Sequence, residues 1–589
     1  MLGAVGDRLR GLRYLIGDLL YALSRFPAAA ADGAAGFWRS LPVVSRRRFV
    51  AAAGVVGAVL LLAGLVVPNL PCELPGGDEC APDDDALELV PAGALAYVHV
   101  NLDPETRQAE QATEVATRMP LVSRQLIGQA VTQLNAGAPL GAASEPWFAG
   151  EAAAVVLSSG AEAERLQLLE AGDADGARGY AESLASGVPD SSRYRDVEIA
   201  EDGQGNASAV VQDFLVLGTA QGVRAVLDVA ADAEGADSLA DERVAGDALD
   251  ALPDDRVAEA YLSANGIEAF VSAPGSPLSS FEPLVDSASS RGAAVALSAE
   301  ADGFEIALRS VLDPERSEAE PGFFAAFDEF EPELPEELQA DALAYLGLGR
   351  PSDTIAALLR QATVRAPGVA AGFTDLLESL RGAADVDVQS DLLDALGGEA
   401  AFAVVPREPV DPDAPTVPST AAATPYLEFL ADDVDEERAR LAMARLQGPI
   451  ARSLDLEIGA PVFEQQSFGG VDAEVLRLSP VAQLVYSIFD SRLLIANDVA
   501  AAEWVSDAGD DALGNADRYR RTVDELPDES ALLAYLDLRG LLAYAERSGL
   551  GEDTAYSTFA PDLRRLGSAG MAVTQDDDLL AVDIRVMVD

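Results

Sequence analysis

PAGALAYVHV, residues 91–100, alternates as a strand does: Leu95, Tyr97 and His99 fall on one face, Ala96, Val98 and Val100 on the other. The Ala-Tyr signature returns three times downstream of a proline, as ALAYLGL at 342–348, AEAYLS at 258–263 and LLAYLD at 532–537. Ala94–Tyr97 and Ala342–Tyr345 stand 248 residues apart, as do Gly150-Glu151-Ala152 and Gly398-Glu399-Ala400. Beyond that point the order still matches. LQLLEAGDADGARGYAESL answers YLEFLADDVDEERARLAMARL, and LPDDRVAEAYLSANGIEAFV answers LPDESALLAYLDLRGLLAYA. A period this long marks a repeated structural unit. The chain reads as one module written twice, over 88–313 and 333–589, joined by a linker at 314–332.

Periodicity assigns the elements inside each module. Residues 104–134 carry apolar residues at helical spacing, and Asp103-Pro104 is a sound helix start. EAAAVVL and RLQLLEA predict a hairpin, and Asp173 and Asp175 suit the positive end of a following helix. YRDVEIA and SAVVQDFLVLGT predict a further strand pair, GVRAVLDVA another helix, and the last two strands meet at Asp302-Gly303. The expected fold class is α+β: two tandem repeats of a mainly antiparallel sheet with helices packed on one side, preceded by one transmembrane helix. Phe323, Phe324, Phe327 and Phe330 in the linker are expected to dock into a core.

The charge is extreme. Against 99 Asp and Glu there are 40 basic residues, all of them arginine, for a net charge of −59. Such a surface repels phosphate, which argues against nucleic acid as a partner. The distribution is uneven: residues 1–48 hold eight Arg and three Asp, a balance of +5, so the remainder carries −64. Between them, Phe49 to Val67 is an uncharged apolar run of 19 residues flanked by Arg46-Arg47-Arg48. That length reaches across most of a ~30 Å hydrocarbon core. Positive residues stay cytoplasmic, which places the N-terminus inside and residues 68–589 outside. A long basic region and the lack of a small-residue cleavage site favour an uncleaved anchor over a signal peptide. Within 1–48, Val5, Leu9, Leu12, Ile16, Leu19, Leu23 and Phe26 form one face of a basic amphipathic helix, suited to the inner leaflet or to a partner protein.

Residues 68–87 are an acidic, Pro/Gly-containing extracytoplasmic linker holding the only two cysteines, Cys72 and Cys80. A disulfide between them is expected, with two free thiols as the alternative. The second module carries an insertion at 406–425, where Pro406, Pro409, Pro412, Pro415 and Pro418 recur at the three-residue period of polyproline II. An exposed finger is expected there.

LVPAGALAYVHVNLDP, WFAGEAAAVVL and DFLVLGTAQGVRAVLD, taken with the preceding apolar run, resemble a bacterial membrane-anchored family of unknown function (domain of unknown function thirty-three fifty-two). The resemblance implies an envelope location and carries no catalytic residue with it.

A search for chemistry yields little. The sole histidine, His99, has Gly347 as its counterpart in the second module, whereas Tyr97 keeps Tyr345, so a structural histidine is expected. Without a second histidine or a nearby cysteine there is no standard zinc site and no Cys/His nucleophile pair. GDADGARG at 172–179 opens like a calcium loop, but Leu184 stands where the bidentate Glu is needed. The absence of lysine removes the ordinary phosphate-binding loop. No catalytic, cofactor-binding or metal residue is assigned. The expected role is a non-catalytic binding or scaffold component of the cell envelope, with an envelope protein as partner. The alternatives are an envelope hydrolase using carboxylates or a weakly bound cation, and a carrier of an apolar ligand.

Overall fold

The structure is a computed structural model that describes residues 84–589 apart from internal stretches, the longest at 122–145, 273–281, 357–380, 408–424 and 454–461. The segments 1–48 and 49–67, Cys72, Cys80 and nearly all of the 406–425 insertion lie outside the described residues. Among the described residues no helix is long and apolar enough to cross a membrane.

The chain divides into two compact units. The first comprises Leu41–Gly322, Pro561–Arg565 and Gln575–Asp589, described from Asp84 onward. Its strands are β1 (Ala96–Asn101), β2 (Phe148–Val156), β3 (Arg165–Ala171), β4 (Asp190–Tyr194), β5 (Val197–Glu201), β6 (Asn206–Val211), β7 (Phe214–Thr219), β8 (Ala258–Ser263), β9 (Ser290–Glu300) and β10 (Gly303–Leu312). Every pairing is antiparallel, in the order β10-β9-β8-β1-β2-β3-β7-β6-β5-β4. The second unit contains β11 (Ala344–Gly349), β12 (Glu399–Val405), β13 (Tyr426–Ala431), β14 (Glu464–Phe468), β15 (Val471–Ser479), β16 (Ala482–Phe489), β17 (Arg492–Ala496), β18 (Leu532–Leu536) and β19 (Leu566–Gln575). They pair antiparallel as β19-β18-β11-β12-β13-β17-β16-β15-β14. The last strand, β20 (Leu579–Val588), belongs to the first unit and lies beside β10.

The four Ala-Tyr strands meet two by two. β1 pairs β8 with Tyr97 opposite Tyr261, and β11 pairs β18 with Tyr345 opposite Tyr535. Each tyrosine is buried, so the pair forms the centre of its unit's core, among Val155, Leu168 and Ala294 in the first and Ala403, Leu430 and Ala572 in the second. In the second unit the Tyr519 ring packs edge-on against both Tyr345 and Tyr535, a geometry that adds to the area these rings bury.

Three details depart from the sequence reading. Helices do not keep to one side of the first sheet: Val226 and Ala248 join Tyr97 on one face, while Ala112 joins Val100, Ala258 and Leu297 on the other. A sheet covered on both faces accepts near-continuous apolar strands, as in β9. The helix predicted over 104–134 begins later, at Arg107, with Thr106 as its cap accepting from the Ala109 N–H, and it runs to Arg118. The residues after Leu121 lie outside the described part. The YRDVEIA stretch is two strands, because Arg195 and Asp196 both adopt positive φ and turn the chain within it. A turn at Gln212-Asp213, with Gln212 at positive φ, splits SAVVQDFLVLGT into two paired strands. The linker phenylalanines do dock: Phe324 and Phe327 are buried and meet Phe323 in edge-on and tilted ring contacts, and Phe330 packs against the second core.

Candidate functional site

His99 leans from β1 toward the helical turn that precedes it. Asp84 caps the 3-10 helix Asp85–Leu89, accepting from the Leu87 N–H at 3.1 Å and from the Tyr97 hydroxyl. Glu151, at the start of the β2 segment facing β1, accepts the Ala86 N–H at 2.8 Å. Its own N–H donates to Glu170 at 3.1 Å. These bonds fasten the 3-10 helix onto the sheet and leave three carboxylates around one imidazole. His99 Nε2 lies 3.5 Å from Glu151 and 4.0 Å from Asp84, and Nδ1 lies 3.5 Å from Glu259 on β8. Glu259 is opposite His99 in the strand register and is held from its other side by the Arg256 guanidinium. The imidazole is parallel to the Tyr97 ring, with centroids 6.4 Å apart.

Three of the four side chains are buried, His99 at 0% exposed, Glu259 at 2% and Glu151 at 5%, while Asp84 keeps a narrow opening to solvent. Burial alone would depress the His99 pKa, but Asp84, Glu151 and Glu259 outweigh it and push the imidazole up to about 10. Burial raises Asp84 against the pull of His99. For Glu259, burial acts upward, yet His99 and Arg256 carry the carboxyl below its usual range. Burial, and then the Asp84 charge, keep the Tyr97 hydroxyl protonated to high pH.

The second unit builds the same clasp without the histidine. Tyr345 donates to Glu399 at 2.8 Å, and Glu399 accepts the Leu334 N–H at 2.9 Å and the Glu333 N–H at 2.8 Å. The Glu399 N–H donates to Asp432, as that of Glu151 does to Glu170. Gly347 replaces His99, and a Cβ there would overlap the Tyr345 hydroxyl and come within 3.0 Å of the Phe330 ring. Leu533 stands opposite Gly347 where Glu259 stands opposite His99. One unit thus fills this space with apolar side chains and the other with ionisable ones. Burial pushes Glu399 up to about 7 despite its three donors. Tyr345→Phe is therefore expected to destabilise the second unit by about 1–2 kcal/mol. Urea unfolding should show an earlier transition, and Glu399 should titrate higher still.

Sequence reasoning singled out His99 and expected it to be structural, but it missed the acids around it. Asp84, Glu151 and Glu259 are far apart in the chain, and among 99 acidic residues nothing local distinguishes them. The repeat held the one usable signal, since Glu151 and Glu399 both sit in the aligned Gly-Glu-Ala. Cys72 and Cys80 lie outside the described residues.

A family model described as "Protein of unknown function (DUF3352)" matches residues 50–587. No curated relative matches the chain. Among solved structures, one titled "Structure of crystal form I of TP0453" is similar at 9% identity and TM-score 0.24, covering 39% of this chain and 80% of that one. Crystal form IV of the same protein gives 11% identity and TM-score 0.24, over 38% and 79%. Scores this low carry no argument about the present chain.

Proposed function

The chain belongs to the DUF3352 family of proteins of unknown function, and from that footing we propose that it is a single-span, extracytoplasmic envelope protein acting as a non-catalytic binding or scaffold component. The observation that carries this reading is the charge step: +5 over residues 1–48, an uncharged run over 49–67, and −64 beyond. A basic flank held at the cytoplasmic face and an acidic bulk outside is the orientation such a step favours. Two units with the same strand order, each with its tyrosine hydroxyl donating to a carboxylate (Asp84 in the first, Glu399 in the second), support reading the outer part as one module written twice. A hollow lined by Asp517, Arg520, Arg521, Asp524 and Glu525 is charged, which suits water or ions better than an apolar ligand.

Topology is the first test. Alkaline phosphatase fused after Asp589 should be active in cells, and a fluorescent protein that folds only in the cytoplasm should stay dark there. The reverse pattern would remove the extracytoplasmic reading. Cross-linking and capture from native membranes should then recover a partner that is lost on deletion of 406–425.

A further inference from the structure

We propose that Asp84, His99 and Glu151 form a site for one divalent first-row cation, with zinc the best match, which pins the Asp85–Leu89 helix to the sheet of the first unit. Three donor atoms, one from each side chain, lie within 4.8 Å of one another. The Nε2–oxygen separations of 3.5 and 4.0 Å are close to what an ion with ~2.0–2.2 Å bonds imposes on its ligands. One imidazole with two carboxylates is a donor set that zinc accepts.

The second observation is the imidazole itself. His99 is fully buried, and neither ring nitrogen completes a hydrogen bond; Asp84 Oδ2, also buried, has none either. Ionised carboxylates only accept. A neutral imidazole with its proton on Nδ1, toward Glu259, would aim the Nε2 lone pair at Asp84 and Glu151. Glu151 Oε1 already accepts the Ala86 N–H, and Asp84 Oδ1 the Leu87 N–H and the Tyr97 hydroxyl, so of these three atoms the one left without a partner is Nε2, and a cation between it and the two oxygens would satisfy it.

The surroundings fit a metal ligand. Glu259 beside Nδ1, held in turn by Arg256, reproduces the carboxylate–histidine arrangement that fixes the tautomer of a ligating imidazole. In the second unit, where Gly347 and Leu533 replace His99 and Glu259, Phe330 occupies the space beside the tyrosine.

A single histidine makes the test direct. The full chain, purified in detergent and labelled with 15N at histidine, is stripped with a chelator and titrated with zinc in excess magnesium, which occupies surface carboxylates. About one equivalent should bind tightly, moving Nε2 to a metal-bound shift while Nδ1 stays protonated. Glu259→Gln should weaken that binding about 10–100-fold. Zinc uptake with no change in the imidazole resonances would assign the metal to the acidic surface and overturn the site. So would a doubly protonated imidazole at pH 8 that excess zinc leaves unchanged. Should Glu259→Gln fail to fold, the wild-type titration decides alone.

Discussion

Gly266→Ala is expected to destabilise the first unit by about 3 kcal/mol or more, the scale of overpacking a site that cannot relax. Gly266 is in the first turn of the helix Ala264–Phe270, where its N–H donates to the capping Ser263 hydroxyl. The turn rests on the backbone where β1 begins: Ser263 N–H donates to the Leu95 carbonyl at 3.2 Å. A Cβ on Gly266 would overlap that same carbonyl oxygen. The neighbour is backbone, hydrogen-bonded and followed directly by β1, so no side-chain rotation makes room. The helix must lift, which gives up the Ser263–Leu95 bond and disturbs the β1–β8 pairing that sets Tyr97 against Tyr261. Calorimetry of the full chain should show one unfolding transition moved down and the other in place. Unchanged transitions would mean that the helix does not sit this close to Leu95.

Glu428→Leu should act in the opposite direction, and its effect should grow with pH. Glu428 lies in β13 between Ala403 and Ala496, buried, with neither carboxylate oxygen hydrogen-bonded. Burial first, and then the charge of Asp341, pushes its carboxyl from 4.5 up to about 8. In the first unit the same register position, opposite Val155 and Gly218, is the fully buried Leu166. The sign follows from linkage. Below pH 4.5 the group is neutral whether folded or unfolded and costs nothing as a charge. Between 4.5 and about 8 only the unfolded chain ionises, so stability falls as pH rises, and the loss is complete above about 8. That separation sets a ceiling of about 5 kcal/mol, and local relaxation reduces it to about 2–3 kcal/mol. Glu428→Leu should raise the melting point of the second unit by about 6 °C at pH 8. Glu428→Gln should gain at pH 8 and little at pH 4. A gain independent of pH would assign the effect to packing instead of ionisation.

Much of the fold is legible in the residues because it is local or repeated. Alternation marks β1, and the Ala-Tyr recurrence marks β8, β11 and β18 as strands of the same kind. The capping carboxylate of Asp173 announces the helix Ala174–Leu184, and the structure has it accepting the Asp175 N–H. The missed features lack such marks. The turn at Arg195-Asp196 takes positive φ without a glycine to signal it. The helix Arg107–Arg118 starts at Thr106, because a hydroxyl that reaches the Ala109 N–H won over the proline rule at Asp103.

By itself the sequence determined the mixed helix and strand types and the charge step, because each is written in periodicity or composition along the chain; that Gln575–Asp589 joins the first unit is decided by tertiary contacts alone. Only the tertiary structure decided which side chains meet. The Ala-Tyr strands pair two by two with tyrosine facing tyrosine. Asp84, His99, Glu151 and Glu259 converge in one unit, while Phe330 and Leu533 fill the matching space in the other. Convergence of that kind depends on strand register and on burial, which strips the solvent that would otherwise screen each charge, and neither quantity belongs to any single stretch of chain.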